Sequence, residues 1–259
     1  MRAGAPAKPL AGWNVLVPRG GAWGDSVAAL LRAQGASPVV APLINFAAAD
    51  DGAALDSALR ELADGAFDWI TVTSATTVDV LASLRAVVPE HTRIAAVGET
   101  TAAALAAAGF RADFVPSDDN SASGMLREWV ELPSSAEPQR ILALRSSIAK
   151  PVLTAGLRRM GNDVESVVAY RTVGVAAPQG VVQQVAEGAL QAIMVTSGSV
   201  AEQVHAQFGE VPERTIVACI GPTTAADARR YGLRVDLVAE TPGAQSLIDS
   251  LVAAAGSSS

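Results

Sequence analysis

Short apolar runs alternate along this chain with glycine- or hydroxyl-bearing corners and with stretches of helical period. Trp13 to Pro18 reads as a strand, Arg19 to Gly24 as a flexible turn, and Ser26 to Gln34 as a helix capped by Asp25 and stopped by Gly35. A second strand, Pro38 to Ala41, runs into Pro42 to Phe46, which is apolar and extended. After an amphipathic helix at Leu55 to Leu62 come the strand Phe67 to Val72, a Thr73-Ser74 corner and a helix from Thr76 or Thr77. Ile94 to Val97 feeds a Gly98 corner and the helix Thr100 to Ala108, and Phe110 to Val115 is the next strand. A polar loop follows, in which Ser121 or Ser123 caps a helix through Trp129. Strand alternating with helix predicts an α/β protein with parallel sheets flanked by helices.

The pattern then returns. Gly98, Thr101 and Ala102 fall on Gly221, Thr224 and Ala225, each 123 positions later, and Val72-Thr73-Ser74 falls on Val195-Thr196-Ser197 in the same register. Beyond a Pro- and Ser-containing linker at Leu132 to Gln139, the opening unit also returns, with Ile141 to Arg145 lying 126 positions after Val15 to Arg19. Val167 to Thr172 then takes the place of the second strand and its exit, so Tyr170 stands near where Pro42 stood. The second copy closes with strands at Ala192 to Val195 and Val235 to Val238 and a helix capped around Thr241 to Ser246. Each copy holds several strands and can bury its own sheet, which makes this a domain duplication and not a solenoid. Each opening unit can join the half that follows it or the other half. The Pro- and Ala-rich first ten residues and the tail Gly256 to Ser259 read as loose.

Composition narrows the function. With 259 residues, half of them apolar, and a formal charge of −7, the chain offers a sizeable core and no electrostatic footprint for nucleic acid or an anionic membrane. The single cysteine, Cys219, allows no intrachain disulfide and no thiolate metal cluster. The N-terminal MRAGAPAKPLAGW lacks an apolar core of signal length, and no apolar run is long enough to cross a bilayer, so a soluble cytoplasmic protein is expected.

The familiar catalytic kits are missing. His91 and His205 have no partner at ligand spacing, and no metal is expected. Neither G-x-G-x-x-G after a strand nor G-x-x-x-x-G-K-S/T occurs, and Ser197 sits in Thr-Ser-Gly-Ser without a histidine to activate it. What remains is a set of corners. Thr73, Ser74, Thr101, Thr196, Ser197, Thr223 and Thr224, with Gly98 and Gly221, stand where helices begin at strand ends. Their hydroxyls can serve as plain N-caps. Alternatively, amides, hydroxyls and helix dipoles together form cradles for carboxylates, and several such cradles suit a ligand with many of them. Arg19 and Arg145, at equivalent strand ends, are either surface charges or forks for a carboxylate. Tyr170 is either a packing residue in an interdomain crossing or a phenol that gives a proton to a departing hydroxyl.

In order and spacing, Val97-Gly98-Glu99-Thr100-Thr101-Ala102, Ala169-Tyr170-Arg171-Thr172, Val195-Thr196-Ser197 and Ile220-Gly221-Pro222-Thr223-Thr224-Ala225 make a pattern that resembles the uroporphyrinogen-III synthase family. The likeness runs from about Asn14 to Ala254. It implies two α/β domains, each a parallel sheet flanked by helices, joined by a two-stranded hinge. The first would be built from residues 1–41 and 174–259 and the second from 42–173, with crossing strands near 42–46 and 170–174. It also implies closure of hydroxymethylbilane, a linear tetrapyrrole with many carboxylates, to uroporphyrinogen III with loss of water and inversion of the last ring, without a cofactor.

By the same resemblance Tyr170 matches the tyrosine that assists hydroxyl departure. Thr101, Ser197 and Thr224 match hydroxyls lining the cleft, with Thr73, Ser74 and Thr223 beside them. The corner Arg145 to Lys150 departs from the family, where many relatives have Gly after the Arg and another Arg further on. No fused methyltransferase or regulatory domain is visible. A monomer is expected, with transient contact to the preceding enzyme of the pathway. The competing reading is a non-catalytic two-lobed polyanion-binding or tetrapyrrole-linked regulatory protein.

Overall fold

A computed structural model describes residues 8–132, 137–241 and 243–257. Residues 1–7 and Ser258 and Ser259, expected to be loose, and residues 133–136 of the expected linker lie outside the described residues. The chain divides into two compact units, Met1–Asn45 with Val173–Ser259, and Phe46–Thr172.

The first unit contains β1 (Asn14–Val17), α1 (Gly21–Ala33), β2 (Ser37–Val40) and the start of β3 (Ile44–Ala48). The second continues with α2 (Gly52–Ala63), β4 (Trp69–Val72), α3 (Ala75–Ser83), β5 (Arg93–Ala96), α4 (Glu99–Ala107), α5 (Ala122–Trp129), β6 (Arg140–Ser146), α6 (Val152–Arg159) and most of β7 (Asp163–Gly174). The chain then returns to the first unit for α7 (Gln179–Ala186), β8 (Ala192–Val195), α8 (Gly198–Phe208), β9 (Ile216–Cys219), α9 (Pro222–Arg230), β10 (Leu237–Val238) and α10 (Ala244–Ser257).

The sheet orders are β10-β9-β8-β1-β2 in the first unit and β3-β7-β6-β4-β5 in the second. The opening pair β1-β2 therefore lies beside the last half of the chain, where Val15 pairs with Ala192, while β6-β7 lies beside the half before it, where Ile141 pairs with Trp69. The passage out of the first unit falls after Asn45, four residues beyond the expected 41/42 boundary. Leu43 and Ile44 are buried in the first unit's core, and the Leu43 carbonyl accepts from the Val175 amide at 2.8 Å.

Both sheets are covered on two faces, and their strands obey the two-residue alternation that pleating imposes. In the first unit Leu16, Ile193, Val195, Val217 and Cys219 face one cluster, while Val15, Val17, Ala192, Met194 and Ala218 face the other. In the second, Ile70, Val72, Leu142 and Leu144 face α2, α3 and α4, whereas Trp69, Ile141 and Ala143 face Met125 and Trp129 of α5 and Leu157 of α6. The duplication extends to buried polar contacts. Thr92 donates to the Phe67 carbonyl at 2.7 Å, and Thr215, 123 positions on, donates to the Leu190 carbonyl at 2.8 Å.

Several boundaries differ from the sequence reading. Asp25 does not cap α1, which starts at Gly21 after Gly20, so Asp25 lies inside the helix. The glycines expected to form a flexible turn let the chain coil early: the Gly24 amide donates to the Gly20 carbonyl at 3.3 Å, and a side chain on Gly24 would strike the Arg19 carbonyl. Phe110 to Val115 forms no strand beyond a single parallel bridge between Ala95 and Phe114. There Asp113 turns its carboxylate onto the Ile94 amide at 2.9 Å and binds Arg111 at 2.6 Å; Asp236 and Arg234 make the same clip on Val217 in the first unit. Gly256 belongs to α10 and not to a loose tail.

Two predictions follow from this packing. Gly156 brings α6 close to α5, since a methyl there would meet the Leu126 Cγ at 3.0 Å; Gly156→Leu should therefore cost roughly 1–3 kcal/mol, read from urea unfolding. Cys219 is buried in β9, and burial pushes its thiol up to about 11. It should resist iodoacetamide at neutral pH in the native protein and react once the chain is unfolded.

Candidate functional site

Within the second unit the end of β4 leads into α3 through Ser74, whose backbone is extended and whose Oγ accepts from the Thr77 amide at 3.2 Å. The same oxygen lies 3.0 Å from Thr77 Oγ1 and 3.0 Å from the Tyr170 hydroxyl. Thr77 is fully buried and Tyr170 is 7% exposed, so three hydroxyls meet at a helix start with little competition from water.

Tyr170 reaches this corner because β7 is irregular. Arg145 pairs with Val168 but Ser146 pairs with Tyr170, so Ala169 is the extra residue of a bulge. In a regular strand Ala169 and Tyr170 would face opposite sides of the sheet; here Val167, Ala169 and Tyr170 all join the same core cluster. The Phe46 ring meets the Tyr170 ring edge to face, with centroids 5.3 Å apart. Beside Tyr170 opens a cavity of about 520 Å³ walled mainly by Phe46, Ala47, Leu55, Val80 and Leu84, with Asp56 and Asp79 among its lining residues.

The other expected residues of this unit sit nearby in the fold with different surroundings. Thr73 is half-buried. Gly98 starts α4, which packs on α3, and Asn120 lies over it: a methyl on Gly98 would meet Asn120 Cβ at 3.0 Å. Glu128 of α5 ties the loop that carries Asn120 by accepting the Ser117 amide at 2.8 Å; that bond, more than the nearby Arg127, holds its carboxyl below the usual range. Thr101 is 6% exposed. Arg145 is engaged within its own sheet, donating to Ser166 Oγ and to the Ser146 carbonyl, each at 3.0 Å.

In the first unit Ser197 caps α8 by accepting from the Val200 amide at 3.2 Å. Thr196 Oγ1 is buried without a hydrogen-bond partner among the described residues. Gly221 starts α9, where Thr223 is exposed and Thr224 is 9% exposed. The Arg19 guanidinium lies over the Trp23 ring at 4.8 Å. Asp227 of α9 lies against Gly198, the first residue of α8. Sequence reasoning passed over Thr77, Asn120 and Asp227. For Asp227 a signal existed, because its counterpart 123 positions earlier is Ala104. Among the described residues no cluster of three or more His, Cys, Asp or Glu side chains could hold a metal ion, and no helix is long and apolar enough to cross a membrane.

The family model described as uroporphyrinogen-III synthase HemD matches residues 25–249. The chain belongs to the uroporphyrinogen-III synthase family. It is 29% identical over 259 aligned residues to the porphyrin biosynthesis protein HemD of Ruminiclostridium josui, covering 96% of this chain and 50% of that protein. It is 30% identical over 171 residues to the uroporphyrinogen-III synthase of Synechococcus elongatus, covering 64% of this chain and 62% of that one. The chain thus spans about half the length of one of these relatives and under two thirds of the other. A crystal structure of the Helicobacter pylori uroporphyrinogen-III synthetase shares the fold at 18% identity and a TM-score of 0.63, covering 93% of this chain and 99% of that one.

For this family member the hydroxyl cluster has a structural cost that can be isolated. Ser74→Ala removes both the α3 cap and the Tyr170 partner, and should lower stability by about 1 kcal/mol in urea unfolding. Tyr170→Phe leaves the cap in place and should cost less; equal losses would mean that the cap contributes nothing.

Proposed function

We propose that the chain acts as a uroporphyrinogen-III synthase, a cyclising lyase that closes hydroxymethylbilane to uroporphyrinogen III with loss of water and inversion of the last ring. The observation that carries the reading is Tyr170, a nearly buried phenol held 3.0 Å from Ser74, the N-cap of α3, in a chain whose family match runs through both units.

Departure of the terminal hydroxyl as water leaves a delocalised cation, to which a carbon of the last pyrrole gives the electron pair of the new bond; the adduct then fragments and recloses. The hydroxyl cluster suits that first step. Ser74 Oγ already accepts from the Thr77 amide. If Thr77 Oγ1 donates to its second lone pair, the Ser74 proton goes to the Tyr170 oxygen and the phenol proton is left for the departing hydroxyl. Tyr170 then supplies a proton as the carbon–oxygen bond breaks, and Ser74 and Thr77 set its direction. The rest of the acceleration comes from holding a flexible chain in the conformer that closes with inversion. The corners at Thr73, Gly98, Thr101, Thr196, Ser197, Gly221, Thr223 and Thr224, with Arg19 and Arg145, are the groups proposed to contact the substrate. With this reading go a cytoplasmic monomer and transient contact with the enzyme that supplies the bilane, in a pathway to heme, siroheme or cobalamin.

The deciding experiment supplies enzymatically made hydroxymethylbilane and resolves the product isomers. Isomer III is expected; the I isomer alone, which forms without catalysis, would leave only the non-catalytic reading. Tyr170→Phe should lower kcat roughly 10- to 100-fold with the III isomer retained. Unchanged turnover would remove the role given to Tyr170.

A further inference from the structure

Tyr170 is held at its tip and left open along its length. The hydroxyl lies 3.0 Å from Ser74 Oγ, while the residue also lines the cavity of about 520 Å³. Ala47, Ala48, Ala49, Gly52 and Ala169 share that lining, and side chains this short leave a tyrosine room to turn. The backbone beneath restrains it weakly, because the ladder with β6 shifts register between Arg145 and Ser146 to admit Ala169. A single hydrogen bond fixes the phenol oxygen and leaves the ring free to pivot about it.

Phe46 supplies the second point of contact. Its ring stands at 86° to that of Tyr170 with centroids 5.3 Å apart, the edge-to-face arrangement that aromatic quadrupoles favour. Phe46 is carried by β3, the neighbour of β7 in the sheet, and Arg171 ties the end of β3 to β7 by donating to the Ala48 carbonyl and pairing with Asp50, each at 3.1 Å. The ring is therefore presented to Tyr170 from a strand whose place is fixed. Phe46 is 38% exposed and lies outside the core cluster that Tyr170 joins, so a change there reaches Tyr170 without emptying the core.

We propose that Phe46 is a positioning residue for Tyr170: its ring holds the phenol against Ser74 and keeps it from swinging into the cavity. The consequence for turnover rests on the proposed function; the hold on the ring does not. A phenol that spends part of its time away from Ser74 serves the departing hydroxyl only for the remainder, so loss of the Phe46 ring should lower kcat in that proportion. The loss cannot exceed that of removing the phenol itself.

Tyrosine labelled at its ring carbons gives NMR signals from Tyr170 and Tyr231 alone, and Tyr170→Phe assigns them. The Tyr170 ring should show an order parameter of about 0.85 in wild type and below about 0.6 in Phe46→Leu, with Tyr231 unchanged. Phe46→Tyr restores an aromatic ring and should return Tyr170 to its wild-type value. A Tyr170 ring already mobile in wild type, or equally rigid in Phe46→Leu, overturns the assignment whatever the protein catalyses.

With hydroxymethylbilane as substrate, Phe46→Leu should lower kcat about 3- to 10-fold with KM within about twofold of wild type, and Phe46→Tyr should restore it. Made in Tyr170→Phe, the same leucine substitution should leave kcat unchanged, because Phe46 acts through the phenol. An equal loss in both backgrounds, or a raised KM with kcat unchanged, overturns the consequence for turnover. Failure of wild type to form the III isomer sinks the proposed function and leaves the order parameter to decide Phe46.

Discussion

In a parallel sheet every strand that feeds a helix delivers that helix's first amides to the same edge, because strand direction and chain direction are locked together. This constraint governs both units. It is why β4, β5, β8 and β9 each end at a corner and why the caps Ser74 and Ser197 and the starts at Gly98 and Gly221 stand at carboxyl ends of strands. The buried threonine bonds and the Arg–Asp clips at the other ends of the strands repeat between the copies as faithfully as the corners do. They fix the strand register that aims the corners.

Duplication supplies equivalent corners, and what each unit places against them makes them different. A bulge at Ala169 rotates Tyr170 onto the face it would otherwise avoid, giving the α3 start a phenol. On α9 a single aspartate, Asp227, lies against Gly198 at the α8 start, where the other copy has Ala104. Neither change alters the sheet order, so chemistry is altered with the scaffold left intact.

The α/β class and the repeat were legible because apolar runs buried on both faces, followed by glycine or hydroxyl corners, have few other interpretations. Boundaries were less so where a local contact overrode the pattern. Gly24 closes on the Arg19 carbonyl and starts α1 early, and Asp113 takes the Ile94 amide and leaves Phe114 a single bridge. The repeat alone could not say which half each opening unit joins, since either pairing satisfies the same pattern; the ladders β1 to β8 and β4 to β6 decide it. Nor could residue type show that Arg145 is tied to Ser166, or that Thr77 completes a hydroxyl cluster, because those depend on contacts across strands and turns.

The connectivity has a consequence for synthesis on the ribosome. The second unit is one continuous stretch and has all its strands once β7 has emerged, whereas β1, ending at Val17, waits for β8, which begins only at Ala192. Until then Val15, Leu16 and Val17 form an apolar strand with one edge open, the kind of segment that invites pairing with a neighbouring nascent chain. Slow elongation thus exposes the β1-α1-β2 crossover to aggregation and leaves the second unit protected, a vulnerability set by the order in which the units receive their parts.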